Sequence, residues 1–558
     1  MKKIWICLSM VLMLSGCEDF LDTENLTKKD NSNFPKTETD ANAALTGVYA
    51  ILREMTPGED GQSFFMTAEL LSDDRFGGGG PDDKRMHAVD RLKKVDEDMF
   101  ADVWKQDYRG IYRSNILLEC MDAIEWTSEE TRNKIEGQTR FLRAYFYFDL
   151  CRLFGTVPLI VATEPVNIPR ATADELYAQI ATDLKLAIEK LPAKPYNTSE
   201  TAELGRATKW AAQALLARTF LFYTGYYNKE SMPLNEGGSL SRTEVAGYLD
   251  DCIANSGHDL IGDYRNLWPY SNEYTKKEYK YAQDNNLSWI GETGLNVETV
   301  FAIRYSTKAT WDHPWYNNEV ALYSSPREPV SVEDIFPFGK GWGVGTVNPK
   351  TWENWPTGDI RREASILSVE KELPNYVWGC DKQMNETGYW QKKYCAINAR
   401  NENGELENWS RIVYPGIDAD YQLNNIQDLV IIRFADVLLM AAELKQDAAP
   451  LNRVRARVGL PAVAYSDEAL RDERHWELAF EGVRYYDLLR WGIAAEALAQ
   501  QNGVKVQDNL IETSMNMSDI AQRVEATKGL MPLPKTQIDL SAGVLEQNPG
   551  WGNEANMN

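Results

Sequence analysis

The chain has 558 residues, 43% apolar and 11% aromatic, enough to bury a large core and too apolar for a disordered class. With 83 acidic against 59 basic residues its formal charge is -24, a field that repels phosphate backbones and anionic lipid headgroups. Nucleic acid and electrostatic attachment to membranes are therefore excluded as first choices, and neutral or cationic ligands are favoured.

Read from its start, the chain opens with Lys2 and Lys3, an apolar run from Ile4 to Leu14, and then Ser15-Gly16-Cys17. The run is too short to cross a bilayer, and small residues before a cysteine are what a lipoprotein peptidase reads, so residues 1–16 are predicted to be a lipoprotein signal peptide. Cys17 is then the lipidation site, and acyl chains that contribute about 0.8 kcal/mol per buried methylene would anchor the protein to a membrane without spanning it. Residues 17–39, rich in Asp, Asn, Thr and Lys, read as a flexible tether.

A helical scaffold is expected over residues 40–258. Its first helix starts at Asp40, whose side chain can cap it, with Leu45, Val48, Tyr49 and Leu52 on one face. Phe76-Gly77-Gly78-Gly79-Gly80-Pro81 can only be a loop; it lacks the Gly-Lys-Ser/Thr of a phosphate loop. The helical period returns from Phe100 to Leu118. It resumes in the stretch RFLRAYFYFDLCRLFGTVP from Arg140 to Pro158, where Leu142, Tyr145, Phe146, Leu150 and Leu153 form one large apolar face and Arg140, Arg143, Asp149 and Arg152 lie off it. Gly155 and Pro158 end that helix. Thr172 and Glu175 form a capping box for a helix that Pro192 stops, and Lys209 to Tyr223 supplies the next. Helix pairs on short connections are what a tetratricopeptide-like array requires.

From residue 259 to 425 the periodicity fades, Gly, Asn and Pro are frequent, and ten of the seventeen tryptophans gather, which marks a loop-rich, aromatic-rich insertion suited to ligand binding. Thr299 to Tyr305 is one of its few strand-like runs. Helices are expected to resume at Asp428, within a C-terminal scaffold part over 426–558, and Ser466 caps one that starts with Asp467 and Glu468. Arg471, Arg474, Glu477, Glu481, Arg484, Asp487 and Arg490, spaced by three and four, read as ion pairs between or along helices. Besides Cys7 and Cys17 there are five cysteines without CxxC spacing, and the four histidines form no HExxH pattern, so no metal site and no cofactor is expected.

Several separated stretches resemble the SusD/RagB family of outer-membrane glycan-binding lipoproteins from Bacteroidetes. They are FLRAYFYFDLCRLFGTVPL, the run from Ile432 to Glu443, Leu451-Asn452-Arg453-Val454-Arg455, Glu473-Arg474 through Gly482 to Asp487-Leu488-Leu489-Arg490-Trp491-Gly492, and the closing Leu533-Pro534 and Gln547-Asn548-Pro549-Gly550-Trp551. The resemblance implies a mostly α fold, a tetratricopeptide-like helix-pair array whose irregular middle forms the ligand site. It also implies a cell-surface lipoprotein that captures oligosaccharide or polysaccharide and delivers it to a SusC-like TonB-dependent transporter, without enzymatic activity.

A sugar offers apolar C–H faces and hydroxyl edges, so a site for it wants flat rings beside polar side chains. Two stretches supply both. One is Trp311-Asp312-His313-Pro314-Trp315-Tyr316-Asn317-Asn318, in which Trp311, Trp315 and Tyr316 are the preferred ligand contacts; the other is Ser72-Asp73-Asp74-Arg75-Phe76, contributing Asp73, Asp74 and Arg75. The family resemblance points to loops in these regions without assigning residues. Trp342 and Trp352 are read as structural. The alternatives are a RagB-like lid for peptide uptake, since aromatic pockets also hold peptides, and, well behind it, a surface glycoside hydrolase, which needs only two spaced carboxylates.

Overall fold

A computed structural model describes residues 34–56, 63–194, 203–292 and 296–557 of the chain. Cys17, the signal peptide and most of the tether lie outside the described residues. Among the described residues no helix is long and apolar enough to cross a membrane.

The scaffold is a succession of helices: α1 (Glu38–Glu54), α2 (Phe64–Leu70), α3 (Ala101–Cys120), α4 (Glu129–Phe154), α5 (Ala173–Lys190), α6 (Lys209–Tyr226) and α7 (Arg242–Asn255). After the irregular middle come α8 (Phe434–Lys445), α9 (Ala448–Arg457), α10 (Asp467–Leu478) and α11 (Arg484–Arg490). From α3 to α9 each of these helices packs on the next, α7 meeting α8 across the insertion. Short polar caps start them: Thr172 with Glu175 at α5, Ser466 at α10, and Ser241 with Glu244 at α7, a helix for which the sequence reading made no prediction.

Three expectations change. The first helix begins at Glu38, with Thr37 as its cap and Asp40 as the reciprocal partner in the box, so Asp40 caps from inside the first turn. Helix α4 is buried around nearly its whole C-terminal half, including Arg143, Asp149 and Arg152. These charges are tolerated because Arg143 pairs with Asp183 of α5 at 2.8 Å and Arg152 with Asp149 at 2.6 Å. Helix does not resume at Asp428; Leu429–Arg433, a Leu-Val-Ile-Ile run, forms strand β2, antiparallel to β1 (Thr299–Ile303), and α8 follows directly.

That strand pair is the root of the insertion. Thr299 faces Arg433 and Ile303 faces Leu429, so the chain between them leaves and re-enters the scaffold side by side. Phe301 sets its ring against Phe141 of α4 at 4.9 Å. Arg433, at the last position of β2, is buried and bonds Glu298, Glu477 and Glu481 at 2.6 to 2.8 Å. Around it lie Arg457 with Glu298, Arg361 with Asp359, Glu473 and Glu477, Arg455 with Glu473, and Lys393 with Glu481. Five cations face five carboxylates where scaffold and insertion meet.

A second buried set joins helices of the scaffold. Asp436 of α8 accepts from Arg218 of α6 and Arg474 of α10, and Asp487 of α11 accepts from Arg474 and Arg490. Burial raises the cost of ionising Asp436, yet the two guanidiniums hold its carboxyl below the usual range. The periodic charges of 474–490 are thus the ion pairs expected, in the interior.

Candidate functional site

The insertion presents its aromatics on a short loop that the fold holds stiffly. Residues 310–313 close a turn, His313 N–H donating to Thr310 O at 2.9 Å, and Pro314–Tyr316 form one turn of 3-10 helix with proline at its start. Ser306 N–H donates to Tyr316 O at 2.9 Å. Asn317 and Asn318 then turn inward. Asn317 Nδ2 donates to Gln422 O at 2.9 Å and its Oδ1 accepts from Asn425 N at 2.6 Å, while Asn318 Nδ2 donates to Gln427 O at 2.7 Å. Asn318 also caps the helix Glu319–Ser324. The two asparagines sit in the candidate stretch, but their amides are engaged by backbone and serve to fix the loop.

On that base Trp311 is 62% exposed, among the described residues the one tryptophan in the large hydrophobics left open to solvent. Trp315 and Tyr316 are half-buried. His313 lies edge-on to Trp315 at 5.0 Å and to Tyr316 at 6.3 Å, and the Arg53 guanidinium from the end of α1 covers the Tyr316 ring at 4.4 Å. Trp315 and Tyr316 thus meet around His313, on the same short segment that carries the exposed Trp311. Sequence reasoning missed Arg53, which lies some 260 residues away along the chain and carries no local signal.

The second candidate stretch goes inside. Arg75 is 1% exposed: Nη1 donates to Glu69 at 2.8 Å, Nε to Gly345 O at 2.8 Å and Nη2 to Ser324 Oγ at 3.1 Å. Asp74, also 1% exposed, accepts from Thr351 and contacts His475 Nε2 at 2.7 Å. Asp73 is half-buried, with both oxygens taken by Arg484 at 2.8 Å; burial raises its carboxyl, but Arg484 overrides this and holds it at about 2. Asp74 and Arg75 thus do not reach a surface ligand in this conformation, a correction to their sequence reading. Arg75 instead braces, through Ser324, the far end of the helix that carries the aromatic loop.

Asp73, Asp74 and His475 offer ligand atoms within 4.8 Å of one another, a spacing that a metal could use. Arg484 takes both oxygens of Asp73, while Asp74 meets Thr351 and His475 through Oδ1 alone and its buried Oδ2 has no hydrogen-bond partner among the described residues. The glycine loop is no anion cradle. Gly79 N–H donates to Gly343 O at 2.6 Å, Gly77 N–H to Asp90 and Gly80 N–H to Asp83, all within the protein. Gly78, at φ +66°, passes so near that a Cβ would stand 2.4 Å from Gly343 O.

Two family models match the chain: residues 19–221 match one described as "Starch-binding associating with outer membrane", and residues 339–551 match the SusD family. The chain belongs to the SusD/RagB family. Among its relatives, SusD-like protein P2 of Formosa agariphila is 25% identical, covering 99% of this chain and 100% of its own. SusD-like protein P25 of the same organism is also 25% identical, over 89% of this chain and 91% of its own. A solved laminarin-binding SusD-like protein superposes with a TM-score of 0.69 at 26% identity, covering 92% of this chain and all of that one. Surface glycan-binding protein A from Bacteroides thetaiotaomicron, solved with laminarihexaose, gives a TM-score of 0.70 at 22% identity over 92% of this chain and all of that one, a likeness of fold. For a SusD-family chain the placement of the matches is informative: Trp311, Trp315 and Tyr316 fall between the two matched segments.

Proposed function

We propose that this protein captures oligosaccharide or polysaccharide at the cell surface and passes it to a SusC-like TonB-dependent transporter, anchored in the outer membrane through Cys17. The observation that carries the reading is the aromatic loop: an open Trp311 beside Trp315 and Tyr316, mounted on buried asparagines so that little ordering is left to complete on binding. Flat rings suit the C–H faces of sugars. A relative of similar fold is described as binding laminarin, which places a neutral glucan among the first ligands to try.

Capture here involves no bond-breaking. Asp73 is paired with Arg484, and the acids around Arg433 are buried against arginines and Lys393, unlike an acid and a nucleophile flanking an open cleft. A peptide ligand, as in RagB-like uptake, is the second reading. The same exposed rings favour it, and the one test separates the two.

The test is titration calorimetry of the purified protein against neutral polysaccharides, their six-sugar and three-sugar fragments, laminarihexaose and laminaritriose included, and a peptide mixture. Binding to a glycan, weakened at least tenfold by Trp311→Ala with Trp315→Ala while the melting temperature holds, is the expected result. Heat from the peptides alone would replace the glycan reading with the peptide one.

A further inference from the structure

Along α3 runs a groove of about 590 Å³, walled by the segment 158–168 and by the helix Lys535–Leu540 with the residues after it. Trp104 and Ile111 are buried in its floor, while Tyr112, Val166 and Leu540 on its rim are 43%, 50% and 73% exposed. The polar groups of the walls are turned on one another: Tyr108 Oη donates to Pro158 O at 2.8 Å, Asn115 Nδ2 to Ile160 O at 3.0 Å and Asn167 Nδ2 to Ser541 O at 3.0 Å. What the groove offers is mostly apolar surface, which suits leucine and phenylalanine side chains and serves the hydroxyls of a sugar poorly.

The chain itself brings such side chains to the mouth of the groove. Helix α1 lies antiparallel on α3, with Arg113 Nη1 donating to Gly47 O at 2.6 Å and Arg109 paired with Glu54. The start of α1 therefore stands at the C-terminal end of α3, where Glu125 N–H donates to Lys36 O at 3.0 Å. From Cys120 back to Tyr112 is about 12 Å along the axis of α3. The residues ahead of Phe34 include three large apolar side chains, Phe20, Leu21 and Leu26, in an otherwise polar stretch. At about 3.3 Å per extended residue, Leu26 can lie about 26 Å from Phe34 and Leu21 about 43 Å, so both reach past Tyr112 into the groove. Lys105 on the exposed rim has the sign that complements the acids around them, Glu18, Asp19, Asp22 and Glu24.

We propose that residues 18–26 dock in this groove, with Phe20 and Leu21 set against Val166 and Leu540, so that the segment after Cys17 is a strap seated on the scaffold. The inference stands on the groove and the reach of the chain and is independent of the glycan reading. Because the segment is joined to the scaffold, weak intrinsic affinity is enough, its effective concentration being about millimolar. The consequence is one of orientation. Helix α1 spans 17 residues, about 25 Å, from the end where the strap leaves it to Arg53, which covers the Tyr316 ring. With Cys17 acylated, only the few residues between it and Phe20 then separate the membrane from the scaffold, and the aromatic loop is held at a set height above it.

The test is titration calorimetry of the purified mature protein with a synthetic peptide of residues 18–28. Phe20→Asp with Leu21→Asp empties the groove of the chain's own segment, so this double variant should bind the peptide, and the unaltered protein should bind it about tenfold more weakly. Adding Val166→Asp and Leu540→Asp, both on the surface, should abolish the binding. Hydrogen exchange supplies a readout that needs no substitution in the groove: the amides of residues 161–168 should exchange about threefold faster in the Phe20→Asp, Leu21→Asp protein than in the unaltered one. Absence of peptide binding by the double variant, equal affinity in the double variant and the unaltered protein, binding that survives Val166→Asp with Leu540→Asp, or unchanged exchange over 161–168 would each overturn the inference and leave the glycan reading untouched.

Discussion

At the scale of single residues, the aromatic loop carries one titratable group whose position makes a distinct prediction. Glu319 opens the helix that Asn318 caps, and burial alone pushes its carboxyl up to about 7. A folded-state value above the unfolded one means that the folded protein binds the extra proton, so stability is fully present below about pH 4.5 and is lost as pH rises through 7. Glu319→Gln removes that loss. It should raise the melting temperature at pH 8, where the gain is about 1–2 kcal/mol once partial contact with water is allowed for, and change it little at pH 5. Equal shifts at both pH values would show that Glu319 is not buried as described. Arg75 carries the opposite lesson. Its sequence neighbours, two acids and a glycine run, resemble an exposed polar loop, yet its guanidinium bonds Glu69 six residues back and Ser324, Val344 and Gly345 from a distant stretch, and these take it inside. No local pattern announces partners 250 residues away.

At the scale of elements, what was legible followed from local physics and what was not depended on partners. Periodic apolar residues and caps such as Thr172, Glu175 and Ser466 specify their helices without reference to the rest of the chain, and the structure places all three as caps. The start of α8 was misplaced because Leu429 to Ile432 satisfies a helical stripe and a buried strand equally; only the presence of Thr299–Ile303 alongside decides for the strand. Of the site, the loop 311–316 was visible as a run of rings, whereas Arg53 and the asparagine anchoring are tertiary. The glycine run has its explanation at this level also. Gly78 is left-handed and touches the backbone of 343–345, so two loops far apart in sequence interlock only while that position lacks a Cβ. Gly78→Ala should lower stability by about 2–4 kcal/mol in urea titration, with the m-value unchanged. Gly404→Ala, also left-handed but with open space around it, should cost only about 1 kcal/mol and so isolates the steric part at Gly78.

At the scale of the whole molecule, the question is how the part of the insertion between β1 and β2, residues 304–428, stays registered on a helical scaffold through a root of one strand pair. A two-stranded ladder alone is marginal. The buried charges supply the missing specificity: Arg433 on β2 meets Glu298 just before β1 and Glu477 and Glu481 at and just beyond the end of α10, so one guanidinium joins its strand to two other chain segments at once. Such a cluster adds little net stability relative to an apolar core, since desolvation offsets attraction, but removing one member strands its partners in the interior. Arg433→Ala should therefore cost about 3–5 kcal/mol, and Arg433→Lys nearly as much, because a single ammonium cannot reproduce the fork that reaches Glu298, Glu477 and Glu481 together. Screening by salt separates this from surface electrostatics. The loss should persist at 1 M salt, where an exposed pair such as Lys505–Glu512, with both side chains 69% exposed, contributes nothing measurable. If Arg433→Ala unfolds in the same single transition as the unaltered protein, scaffold and insertion are one cooperative unit; an early transition that removes tryptophan fluorescence while helical signal persists would show the insertion detaching at its root.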